Sequence, residues 1–250
     1  MNLNRVKPVN LSQLVRNFLT LFLIVMVFEL CVGGGGRFFE IGPVTVRMLF
    51  YLLAIPISLC YIFFSKKVSY YVVTFTVAYT FLIAIGILIG FINHNPVDLI
   101  IEDIKPLSFF YVLPFFSIAI KDARDIAIVS KVIKVSSLLL AILYIALIAA
   151  IVTGFINFSR FYALMEPFGE VMFRGETFFF YKGFLYLCIG FFFTLQGGRF
   201  SKLCALILLA AIVLTLTRGF ILMVIVVSAF YLMFIYKNKL VKLFSIHAIT

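Results

Sequence analysis

Apolar residues run along this chain in long stretches separated by short polar links, with neither the two-residue alternation of a half-buried strand nor a sustained polar face. The stretches lie near residues 17–33, 48–64, 70–92, 104–120, 135–156, 178–196, 203–217 and 219–236. About 20 mostly apolar helical residues cross roughly 30 Å of hydrocarbon, so the pattern predicts about eight transmembrane helices. A membrane barrel would show segments of about ten residues with alternating polarity, which runs such as 136–153 and 203–217 lack. The predicted fold is an all-α membrane protein, a polytopic helical bundle forming a single integral membrane domain over residues 1–250. The last two stretches need separating. Residues 203–236 are apolar except for Arg218, and as one helix they would be about 51 Å long, more than a bilayer requires. Two spans meeting near Arg218 are therefore expected. The stretch at 104–120 is short and carries Pro106 and Pro114, which makes it the weakest of the eight.

Composition agrees with lipid as the solvent. Hydrophobic residues make up 64% of the chain and charged ones 12%, against about 45–50% and about 25% in an ordinary soluble domain. Cys31, Cys60, Cys188 and Cys204 all fall in apolar stretches without metal-ligand spacing, as small packing residues do. The N-terminal run resembles a signal peptide in outline, but it is long, contains Glu29 and lacks a small-residue cleavage site. A retained first span is the expectation. No internal repeat marks an inverted-repeat transporter.

Charge orients the bundle. With the N-terminus in the cytoplasm, the inner segments hold Arg5, Lys7, Arg16, Lys66, Lys67, Lys121, Arg124, Lys131, Lys134, Arg199, Lys202, Lys237, Lys239 and Lys242 against Asp122 and Asp125. The outer segments balance seven basic residues with seven acids. Cytoplasmic loops collect Lys and Arg, so both termini are predicted to be cytoplasmic in a bacterial inner membrane. The net charge of +11 then reflects topology and anionic lipid and carries no sign of nucleic acid as a partner.

Ionisable groups within or beside spans cost several kcal/mol and need a reason to be there. Arg218 lies where two apolar stretches meet, and its planar, permanently charged fork suits phosphate oxygens. It reads equally as a diphosphate-binding arginine or as a turn residue reaching headgroup phosphates. Between residues 157 and 177, Arg160, Glu166, Glu170, Arg174 and Glu176 interleave with Phe158, Phe161, Tyr162, Phe168 and Phe173. Aromatic faces beside carboxylates and guanidinium groups suit a sugar, and Glu166 and Glu170 are candidate general bases for an acceptor hydroxyl. The competing reading is an interfacial loop with locally paired charges. Lys182 either snorkels outward or adds to the anion site. Glu29 is expected to pair with Arg37, Arg47 or Lys182. His94 and His247 are isolated, and the glycines at 33–36 lack the ending of a phosphate-cradling loop. No metal or nucleotide cofactor is expected.

From Phe179 to Tyr236 the chain carries Phe180-Tyr181-Lys182-Gly183, Leu187-Cys188-Ile189-Gly190 and Leu214-Thr215-Leu216-Thr217-Arg218-Gly219-Phe220. This segment resembles the core of the O-antigen polymerase and O-antigen ligase superfamily of bacterial envelope polysaccharide synthesis, with Thr217-Arg218-Gly219 the most specific part. Residues 39–47 and 103–107 are similar too. The resemblance implies a glycosyltransferase-type protein of lipopolysaccharide biosynthesis. Such an enzyme moves glycan from an undecaprenyl diphosphate carrier to an acceptor sugar at the periplasmic face, inverting the anomeric carbon, alongside other polysaccharide assembly proteins. It assigns Arg218 to the donor diphosphate, with Thr217, Arg160, Arg174 and Lys182 as further substrate-binding candidates. Members of the family continue into a large outer loop with a second arginine, so a truncated or diverged member is expected here, with a lipid-linked glycan transporter or a non-catalytic remnant as the alternatives.

Overall fold

The computed structural model describes residues 11–34, 36, 40–41, 44–65, 69–174, 177–195 and 199–247. Its elements follow from the apolar stretches: α1 (Leu11–Val32), a two-stranded ribbon of β1 (Glu40–Ile41) and β2 (Val44–Thr45), α2 (Val46–Ser65), α3 (Tyr70–Ile92), α4 (Val97–Ser108) and α5 (Leu113–Ala119). Then come α6 (Ala123–Val152), α7 (Phe158–Met165), a hairpin of β3 (Val171–Arg174) and β4 (Phe178–Tyr181), α8 (Leu185–Leu195), α9 (Arg199–Leu214) and α10 (Arg218–His247). Among the described residues four helices, α1, α2, α3 and α6, are long and apolar enough to cross a membrane, and shorter apolar helices cover 182–195, 200–214 and 218–230. Large apolar side chains such as Phe81 and Leu82 on α3 stand more than half exposed. A helix that is apolar all round yet uncovered all round belongs in lipid, and the chain is a multi-pass helical membrane protein.

The described residues fall into two compact units, one made of residues 1–30 and 38–132, the other of 31–37 and 133–250. In the first, the stretch at 104–120 is not one helix. Pro114 has no N–H to give the carbonyl four residues back, and the chain passes from α4 through a 3-10 turn at 109–112 into α5. The break frees carbonyls at the end of α4, which must find donors in an apolar setting. Tyr79 donates its hydroxyl to Leu107 O at 2.9 Å, and Tyr51 donates to Ser108 O. Glu29, in the last turns of α1, accepts from Arg47 Nε at 3.2 Å and Arg47 Nη2 at 3.3 Å. Of the three partners open to Glu29, the structure selects Arg47, while Arg37 lies outside the described residues. Each charge sits at the unfavourable end of its own helix dipole, so the pair offsets both. At the start of α1, Arg16 meets Asp122 at 2.5 Å and Asp125 at 3.8 Å.

In the second unit α8 packs along α9. Gly190 on α8 faces Ser137 on α6 so closely that any Cβ there would collide with Ser137 Cβ and Oγ. That approach places Ser137 Oγ 2.7 Å from both Tyr186 O and Ile133 O, so its single proton is shared between the neighbouring helix and its own. Small residues at crossings and hydroxyls bonded between helices are how helices associate in lipid. The segment at 178–196, expected as one span, opens as strand β4, and α8 begins at Leu185. Phe179 and Tyr181 point inward while Phe178 and Phe180 are only partly covered, the two-residue period of a strand.

Candidate functional site

Residues 203–236 do divide before Arg218. α9 ends at Leu214, three residues turn, and Arg218 opens α10. Thr215 drives the turn. Its hydroxyl, fully buried, donates to Ile212 O at 2.7 Å and accepts from Thr217 N at 3.3 Å, which competes with continued helix in the way Ser and Thr side chains do. Leu216 then adopts the left-handed conformation with φ of 52°, a position where glycine normally ends a helix. Thr217 Oγ1 donates to Thr215 O at 3.3 Å, and Thr217 O accepts from Phe220 N and Ile221 N to start α10.

Arg218 is exposed at the first position of a 30-residue helix whose first turn contains no acidic residue. Its charge therefore adds to the positive end of the helix dipole instead of offsetting it. Two like potentials held together at an exposed helix end make an anion the complementary ligand. Gly219 beside it leaves open space where a side chain would stand.

The segment 157–177, expected as a link between spans, contains a helix and one strand of a hairpin. Asn157 Oδ1 accepts from Ser159 N at 2.9 Å and Arg160 N at 3.4 Å and so caps α7. Gly169, with φ of 61°, reverses the chain into β3, and β3 pairs with β4 in antiparallel register from Val171↔Tyr181 to Arg174↔Phe178. Phe161, Tyr162 and Phe158 of α7 pack on Phe173 of β3, the Tyr162 and Phe173 centroids 4.5 Å apart. Glu166 is exposed and accepts from the Tyr162 hydroxyl at 3.0 Å. That hydrogen bond first, and the carboxylate charge second, push the Tyr162 phenol above its ordinary value. Glu170, by contrast, is enclosed at the base of the hairpin with 0% exposure, its carbonyl accepting from Lys182 N at 3.2 Å. Arg160 is exposed on α7. Arg174 ends β3 opposite Phe178, and its side chain, like Glu176, lies outside the described residues.

The structure thus joins Glu170 to Lys182 through the backbone, and it brings β4 to the first turn of α10 through the rings of Phe180 and Phe220, 5.7 Å apart. No ion pair links Arg160 or Glu166 with Arg218 among the described residues. Two buried polar residues around the turn carry no charge and escape a search for ionisable groups: Thr215 and Tyr144. Tyr144 is 3% exposed in the last third of α6, and its hydroxyl faces Leu214 O at 2.9 Å and Phe179 O at 3.3 Å. A hydroxyl inside an apolar run always signals a partner to be found.

The chain is 26% identical over 244 residues to a curated O-antigen polymerase of Shigella flexneri, an alignment that takes in 91% of this chain and 61% of the relative. The chain therefore spans about three fifths of that relative's length. The likeness agrees with the resemblance drawn from Thr217-Arg218-Gly219 and its flanking helices, and supports an O-antigen polymerase-like protein. No family model matches the chain. No solved structure matches it either.

Proposed function

We propose that this chain is an O-antigen or related polysaccharide polymerase-like protein of a bacterial inner membrane. It takes its glycan from an undecaprenyl diphosphate carrier at the periplasmic face. The observation that carries the reading is Arg218, exposed at the N-terminus of α10 with no acid in that turn. In the proposed step an acceptor-sugar hydroxyl attacks the anomeric carbon of the donor. The new carbon–oxygen bond forms as the bond to the diphosphate breaks on the opposite face. The hydroxyl proton passes to a carboxylate, and undecaprenyl diphosphate leaves carrying the electron pair. Charge grows on the leaving diphosphate, where a fixed guanidinium and helix N-terminus stabilise the transition state most.

Glu166 is the accessible carboxylate for the proton, since Glu170 is enclosed. Arg160, Arg174 and Lys182 supply further positive charge on α7 and the hairpin, and the α7–β3 rings offer faces for sugar. A transporter reading needs unpaired charges along a path through the bilayer, and Glu29 is instead matched by Arg47. In a polymerase-null strain complemented with this gene, Arg218→Ala is expected to lower glycan polymerisation on the order of a hundredfold or more while membrane insertion is retained. A normal glycan ladder in that variant rejects the role.

A further inference from the structure

We infer that Tyr144 is a positioning residue for Arg218, holding the Thr215–Thr217 turn in the conformation that aims the guanidinium. The inference rests on Arg218 being the anion-binding group. The last carbonyls of a helix have no partner within it. Leu214 O, at the end of α9, receives the Tyr144 hydroxyl from α6 at 2.9 Å, one residue before the chain leaves the helix. The same hydroxyl faces Phe179 O on β4 at 3.3 Å, so a single side chain spans three elements. Its ring is gripped by Phe179 at 5.1 Å and Phe184 at 4.5 Å. On the far side of β4, Phe180 touches Phe220, two residues after Arg218. Both ends of the turn are therefore referred to the same strand: the entry through Tyr144, the exit through Phe220.

The turn would not hold its shape by local preference alone. Leu216 is left-handed, which its Cβ disfavours, and its side chain is half exposed. Conformations of this kind persist where surrounding contacts over-determine them. Thr215 supplies the inner bond and Tyr144 the outer one, and Thr217 and Arg218 follow in fixed order.

The test uses the full chain in lipid nanodiscs and the Tyr144→Phe variant, which keeps the ring and removes the hydroxyl. Two quantities are read: backbone hydrogen exchange at residues 215–220, and affinity for farnesyl diphosphate. The expected result is exchange about fivefold faster at 215–220, the factor one lost hydrogen bond provides, with α8 unchanged and affinity weakened by a similar factor. In an Arg218→Ala background Tyr144→Phe should weaken affinity no further. Unchanged exchange and affinity in Tyr144→Phe overturn the inference, and so does faster exchange spread equally through α6, α8 and α9, the mark of a merely structural role. If Arg218→Ala binds the probe as tightly as the parent, the anion-site reading fails, whereas the exchange data still decide whether Tyr144 holds the turn. Should Tyr144→Phe not insert, the second variant combines it with Leu216→Gly: glycine takes the left-handed conformation without outside support, so insertion is expected to return, and continued failure to insert, the mark of a merely structural role for Tyr144, overturns the inference.

Discussion

Leu216 is the residue whose conformation says most about its neighbours. A left-handed leucine costs roughly 1–2 kcal/mol, and its half-exposed side chain recovers little of that by burial. Leu216→Gly should therefore leave unfolding stability unchanged or slightly higher, since relief of strain and glycine's entropy nearly cancel. Leu216→Val should lose about 1 kcal/mol or more, because a β-branched side chain tolerates positive φ least; thermal unfolding in detergent compares the two. Tyr162 offers a titration. Its folded value is raised by the hydrogen bond to Glu166 and by that group's charge, so the contribution is complete below the ordinary phenol value of about 10 and is lost as pH rises through the folded one. The tyrosinate signal of Tyr162, isolated by difference against Tyr162→Phe, should appear later than in a free phenol. Glu166→Gln should bring it back down.

At the scale of elements, close approach decides what can change. A side chain at Gly190 meets Ser137, so Gly190→Ala should force α8 from α6 and cost about 1–3 kcal/mol. Gly219→Ala, whose Cβ enters open space, should leave stability near the parent value, and thermal unfolding of both variants checks the contrast. The helix break before Arg218 is legible in the amino-acid pattern because the apolar stretch at 203–236 is too long for one crossing. The β3–β4 hairpin is not. Phe178, Phe179, Phe180 and Tyr181 place aromatic rings on both faces of a strand, which hides the two-residue period and merges it with the helix that follows. The break after α4 is signalled by Pro114, but the hydroxyls of Tyr51 and Tyr79 that make it tolerable come from other helices. Arg218 is legible as a chemical group. Tyr144 and Thr215 are not legible as its supports, since hydrogen-bond partners distant in the chain are set by packing.

For the whole molecule, charge asymmetry predicts which way the helices thread. Reporter fusions after Lys67, after Lys202 and at the C-terminus should report the cytoplasm, and one within 157–170 should report the periplasm. The reverse pattern would put Arg218 on the cytoplasmic side, away from the proposed donor. A long-range lock adds an order of events. The Tyr181 hydroxyl donates to Val32 O across 149 positions of chain, and the tyrosine ring lies so close to Gly34 and Gly183 that a Cβ at either would fall 2.6 Å or 2.5 Å from it. At roughly 5–20 residues per second of synthesis, the end of α1 waits about seven to thirty seconds for that ring to emerge from the ribosome. Through this interval Gly34 stands without the ring that packs on it in the finished protein.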